Sequence, residues 1–234
     1  DLLNQGINGL RASGLVGRQE PDYYAVDLPW KTGDEDLDFR LGVLHNLTSE
    51  ANEADWGRQS VVLLNYQYLL QEELQAFNSD DSSLYKKINR WHRERGYVPQ
   101  SQQGEIDLNE HKFVNWSRLV DFLNLVHKAN GRRHTVYPGP DMIQESIQLA
   151  VDEVATNGRV TIIEYIDWLR ENLFLIELTA DGNVPASLSR VLFNLVREEE
   201  VRIVESGDAA AVDLNGVPRR RGIDRDANSI EVVQ

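Results

Sequence analysis

The sequence predicts a mainly α-helical protein with small β-hairpins: a helical N-terminal domain over residues 1–137, then a second domain over 141–214. Three observations carry this. Apolar residues recur every three or four positions along several stretches, the spacing of a one-sided helix. Residues 159–214 read as helix, turn, helix, hairpin. Between the two parts stands Pro138-Gly139-Pro140, the sharpest punctuation in the chain and the expected boundary.

Within 159–214, Ile162, Ile163, Ile166, Leu169 and Leu173 make one helical stripe, and Thr161 with Glu164 has the spacing of a capping box. Pro185 suits a first helical turn, with Asn183 as its cap, and Leu188, Val191, Leu192 and Leu195 form the next stripe. The β-branched run 201–204 predicts a strand, Ser206-Gly207-Asp208 a turn, and 209–214 the returning strand.

This order of parts resembles the winged-helix superfamily, over about a quarter of the chain. In a winged helix that reads DNA, the second helix of the pair enters the major groove and the hairpin touches the backbone. Here that helix is expected to expose Ser187, Ser189, Arg190, Asn194 and Arg197, and it ends in Glu198, Glu199 and Glu200. Phosphate binding needs net Lys and Arg, yet residues 159–234 hold 9 basic and 14 acidic side chains, 9 − 14 = −5. The expectation is therefore a protein-docking module whose contacts are Arg190, Asn194, Arg197, Glu198, Glu199 and Glu200.

Composition sets wider bounds. The 234-residue chain has a formal net charge of −14 and no cysteine. That charge weighs against wrapping nucleic acid or an anionic membrane surface, and the missing cysteines exclude disulfides, a thiolate nucleophile and Cys-based zinc sites. No apolar run approaches the roughly 18 residues of a membrane span. A cytoplasmic location is expected, in a chain that is part of something longer.

From the N-terminus, 2–12 is expected as an amphipathic helix weakened by Gly6 and Gly9, 17–32 as an extended segment, and the acidic run 34–38 as a solvated turn. Residues 41–47 read as an apolar stretch around a hydrogen-bonded core His45. The longest helix is expected over 57–77, a further one over 113–129, and another over 141–156. Residues 99–109 read as an exposed loop, 135–137 as a short strand, and 215–234, with Arg219-Arg220-Arg221, as a tail.

The helix expected over 84–95 is the exception to the acidic balance. Leu84, Ile88 and Trp91 should face inward while Lys86, Lys87, Arg90, Arg93 and Arg95 face out. With Lys128, Arg132, Arg133 and His134 they would form a patch for a phosphate backbone or an acidic partner. Residues 84–137 allow a second, divergent winged-helix-like unit. Two such units in an acidic chain of this length resemble the tandem winged-helix accessory subunits of the KITE type, and the resemblance implies companionship with kleisins and chromosome-organising ATPases.

Catalytic signatures are missing. No P-loop, dinucleotide fingerprint, nucleophile elbow or paired-histidine metal motif occurs among the five histidines at 45, 92, 111, 127 and 134. No catalytic residue, metal or cofactor is expected, and the balance leans away from an enzyme. The leading expectation is a non-catalytic adaptor, an accessory subunit of a DNA-associated multi-protein complex, with other protein subunits as partners and a homodimer among the options. The alternatives are a DNA-binding regulator using helix 84–95 and a hydrolase with a carboxylate-bound metal.

Overall fold

One arrangement of elements occurs twice along the chain. In the computed structural model, which describes residues 2–52, 55–56, 59–101, 104–155, 158–205, 211–217 and 228–233, helices dominate and the strands form small antiparallel sheets.

The N-terminal segment comprises α1 (Leu2–Ala12), β1 (Val16–Gln19), β2 (Asp22–Ala25), α2 (Glu35–Glu50), β3 (Ala51–Asn52) and β4 (Asp55–Trp56). The extended reading of 17–32 resolves into the β1–β2 hairpin. The acidic run is not a turn. Asp34 caps α2 by accepting from the amides of Asp36 and Leu37, and the acids that follow lie in the first turn, where carboxylates oppose the positive helix end.

The first unit runs α3 (Ser60–Gln71), β5 (Ala76–Asn78), α4 (Ser82–Glu94), β6 (Gln100–Ser101), β7 (Gly104–Glu105), α5 (Glu110–Phe122), β8 (Val126–Asn130) and β9 (Arg133–Val136). Both long helices end earlier than periodicity predicts. The expected helix 57–77 stops at Gln71 because Glu73 takes φ +49° and the Leu74 amide bonds back to the Leu69 carbonyl, turning the chain into β5. The expected helix 113–129 stops at Phe122 for the same reason: Asn124 takes φ +62°, Leu125 bonds back to Val120, and 126–130 becomes a strand. Residues 99–109 hold the β6–β7 hairpin and Asn109, the N-cap of α5.

The second unit runs α6 (Pro140–Val154), β10 (Arg159–Thr161), α7 (Ile162–Asn172), α8 (Ala186–Arg197), β11 (Val201–Val204) and β12 (Ser229–Val232). The capping box forms as the spacing predicts: the Thr161 hydroxyl accepts from the Glu164 amide, and the Glu164 carboxylate accepts from the Thr161 amide. At α8 the cap is Pro185, with no side-chain bond, and not Asn183. The partner of β11 is β12, so 211–214, the described part of the expected returning strand 209–214, does not pair with it, and the expected tail supplies the middle of a sheet. Val212 is buried, and Leu214 only bridges Val184. The expected turn at Ser206-Gly207-Asp208 and the arginines 219–221 lie outside the described residues.

Laid side by side, the two units share helix, strand, helix, helix, strand, strand, and in each sheet the first strand pairs with the last: β5-β9-β8 and β10-β12-β11. The passage from the last helix into its hairpin is also repeated. Asn124 and Glu199 (both φ +62°) are followed by amides bonding five residues back, Leu125 to Val120 and Glu200 to Leu195. Gly14 (φ +72°) does the same between α1 and β1, where Leu15 bonds back to Leu10. This left-handed stop satisfies helix carbonyls that would otherwise lack donors.

A single apolar core runs through all three parts. Helix α2 packs on both α3 and α7. Trp30 lies 5.5 Å from Trp168 and edge-on to His45 at 5.0 Å, and both indole N–H groups donate to Glu153, at 2.7 and 2.8 Å. His45 is half-buried, and its Nδ1 has no partner. Tyr66 of α3 meets Phe174, just beyond α7, edge-on at 5.6 Å. The Pro138-Gly139-Pro140 break is packed: the Gly139 amide donates to the Asn124 carbonyl at 2.7 Å, and the Asn124 side chain donates to Asp141 at 2.8 Å. A Cβ at Gly139 would lie 1.9 Å from the Asn124 amide nitrogen, so only glycine fits that approach.

Candidate functional site

The expected basic surface splits along α4. The helix is capped by Asp81, which accepts from the amides of Ser83 and Leu84, and it buries Leu84 and Ile88. Lys86, Lys87, Arg90 and Arg93 are exposed as the periodicity predicts, and Arg95 is half-buried. Their surroundings differ. Both Asp107 oxygens accept from Arg93 at 2.6 Å, and Glu105 lies 3.7 Å from it. Arg95 stacks over Trp91 at 4.4 Å and donates to Gln71. Arg90 pairs with Glu94 one turn on, at 3.7 Å. Lys86 and Lys87 form no ion pair among the described residues.

Arg132, in the turn between β8 and β9, comes to the N-terminal end of α4. Its carbonyl accepts from Ser79, and its guanidinium lies 3.1 Å from both Asp80 and Glu110. The structure thus joins Arg132 and its exposed neighbour Arg133 to the Lys86 end of the helix. At a rise of about 1.5 Å per residue, Arg93 stands about 10 Å beyond Lys86. His134 is buried and stacks on Phe77 at 5.2 Å, in the core and not on the patch.

Between α5 and the β8–β9 hairpin lies a cleft of about 250 Å³ lined by Arg118, Lys128, Arg132 and His134, with Asp121 opposing them. Asp121 is engaged by the Lys128 amide at 2.8 Å. Arg118 was not singled out in the sequence; its place is set by α5, whose stripe through Trp116 and Val120 leaves position 118 outside. The same outer side exposes Leu119 (39%) and Phe122 (52%), with Arg40 over the Phe122 ring at 5.9 Å and Phe39 edge-on to it.

The surface expected on α8 is a mixed one. Arg190 and Arg197 are exposed and Asn194 is half-buried, followed by exposed Glu198, Glu199 and Glu200. Ser189, expected outside, is wholly buried and donates to the Val184 carbonyl. Arg190 donates to Gln75 of the first unit at 2.6 Å, Arg197 lies 3.7 Å from Glu198, and Glu200 accepts from Gln144 at 2.8 Å. The outer side of α8 is thereby partly turned toward the first unit.

Among the described residues no group of three or more His, Asp or Glu side chains converges in a way that could hold a metal ion, and no helix is long and apolar enough to cross a membrane. No protein-family model, curated protein or solved structure matches the chain.

Proposed function

We propose that the chain is a non-catalytic adaptor built from two winged-helix units, docking other protein subunits of a DNA-associated complex. The fold part of this reading is supported by the repeated helix–strand–helix–helix–hairpin order and its shared strand order. The function rests on one observation: where a winged helix offers cations to a duplex, several of the cations here are engaged by neighbouring side chains and α8 ends in acids. Arg132 is held by Asp80 and Glu110, Arg190 by Gln75, and α8 runs out into three exposed glutamates. Duplex affinity scales with the phosphates that free Lys and Arg neutralise. Meanwhile α5 offers Leu119 and Phe122, which suit a protein partner better than a phosphate backbone.

A tandem of such units in an acidic chain also supports the resemblance to KITE-type accessory subunits, with a kleisin and an ATPase as companions. Co-expression with the products of flanking genes tests the proposal. A complex stable on size exclusion, and lost in Leu119→Asp/Phe122→Asp, is the expected result. A monomer that captures none of them and binds duplex DNA at low salt overturns it.

A nucleic-acid reading is favoured by the cleft of Arg118, Lys128 and Arg132 beside unpaired Lys86 and Lys87. On that reading, charge reversal of Arg118 and Lys128 abolishes duplex binding and flattens its salt dependence.

A further inference from the structure

A second concavity, inside the first unit, has a different character. It measures about 270 Å³ and lies between α3, α4, α5 and residues 97–99 and 106–108. Its walls are largely apolar, with Val62, Tyr97, Ile106, Trp116 and Leu119 contributing. Two polar side chains line it without partners. Asn65, wholly buried, has neither its amide nitrogen nor its amide oxygen hydrogen-bonded, and His92, 4% exposed, has a free Nε2. Four other polar side chains of the lining are engaged. Asn89 bonds both the amide and the carbonyl of Leu108, Trp116 donates to the Val62 carbonyl, Lys112 donates to the Asp107 carbonyl, and the Asp107 carboxylate is held by Arg93.

We propose that this cavity is a binding site for an uncharged, mostly apolar molecule of one or two rings bearing a lactam or carboxamide edge. Buried polar atoms are as a rule hydrogen-bonded, and those that are not call for a partner. A side-chain amide presents a donor beside an acceptor, the complement of a second amide edge. One water has enough partners in these three atoms, but it would leave the apolar remainder of the wall uncovered. An ionic ligand is disfavoured because Arg93 holds Asp107, the exposed Lys112 ammonium is engaged by the Asp107 carbonyl, and burial keeps His92 neutral, its pKa pushed down to about 4. The volume lies just below the range of drug-sized sites, which limits the ligand to one or two rings. The site shares Leu119 with the surface of the adaptor reading but rests on Asn65 and His92, so the Asn65 signals test it separately from partner capture.

The test uses the full chain, labelled with ¹⁵N-asparagine, titrated with quinolin-2-one and with its N-methyl derivative. Quinolin-2-one is expected to shift the Asn65 side-chain amide signals saturably below about 1 mM. Its N-methyl derivative, which cannot donate, and the Asn65→Leu variant should each weaken binding about tenfold or more. Absence of a saturable Asn65 shift, or equal affinity for both compounds, overturns the proposal. The N-methyl comparison needs no variant and decides the matter should Asn65→Leu fail to fold.

Discussion

Replacing Arg132 by Gln separates an arginine used inside the protein from one kept for a duplex. Its guanidinium lies 3.1 Å from Asp80 and 3.1 Å from Glu110, with side-chain exposures of 58%, 40% and 56%. Exposed pairs contribute about 0.2–1 kcal/mol each, so losing both should cost roughly 0.5–1.5 kcal/mol. In a chain of this size, about 1 kcal/mol moves Tm by about 2–4 °C. Because the pairs are open to solvent, salt should shrink the loss, with the Debye length falling from about 10 Å at 0.1 M to about 3 Å at 1 M. Urea unfolding at low and high salt measures this, and fluorescence anisotropy with a labelled duplex measures binding. The expected result is a salt-sensitive loss of stability with no change in duplex affinity. Unchanged stability, together with a salt slope reduced by about 0.9, would refute the reasoning and give Arg132 to the phosphate backbone.

Three further outcomes follow from particular residues. Thr161→Ala removes the hydroxyl half of the capping box at the start of α7, leaving the bond from the Thr161 amide to Glu164, and should cost about 1 kcal/mol in urea unfolding, with the m-value unchanged. Glu199→Gly relieves a non-glycine residue at φ +62° and should raise stability by about 1 kcal/mol, whereas Asn124→Gly should gain nothing, because the Asn124 amide also holds Asp141. Burial lowers the His92 pKa from 6.5 to about 4, so the unfolded chain binds the proton first. Stability should be full above pH 6.5, fall as the pH drops toward 4 by an amount of the order of 3 kcal/mol, and lose much of that slope in His92→Phe. Chevron or equilibrium unfolding between pH 4 and 7 provides the check, and an unchanged slope in the variant would remove His92 from the account.

What could be read from the chain beforehand was local. Helix α1, the capping box at Thr161 and the outward side of α4 all rest on contacts within a few residues. The misreadings have two physical sources. Glu73 and Asn124 stop helices in the left-handed conformation without a glycine, and the residues around them keep an unbroken apolar periodicity, so 57–77 and 113–129 look continuous. Pairing between β11 and β12 joins residues about 28 positions apart, beyond any hairpin signal, and 209–214 offered a nearer candidate. At the candidate surfaces, charge type was legible but charge use was not: nothing local shows that Arg93 meets Asp107 or that Arg190 reaches Gln75. Asn65 was hidden in the largely apolar run LLNYQYLL, where it is one of two amides and nothing local separates it from Gln67.

The joint at Gly139 has a consequence for whatever grips this protein. With its amide fastened to the Asn124 carbonyl, and Asp141 tied to the Asn124 side chain, the chain is held on both sides of the point where one repeat passes into the next. A companion touching both repeats would meet two footholds at a preset spacing and would not have to freeze a wobble before holding on. Lengthening the joint by a few glycines would leave each repeat's own grip intact and spoil only the grip on both at once.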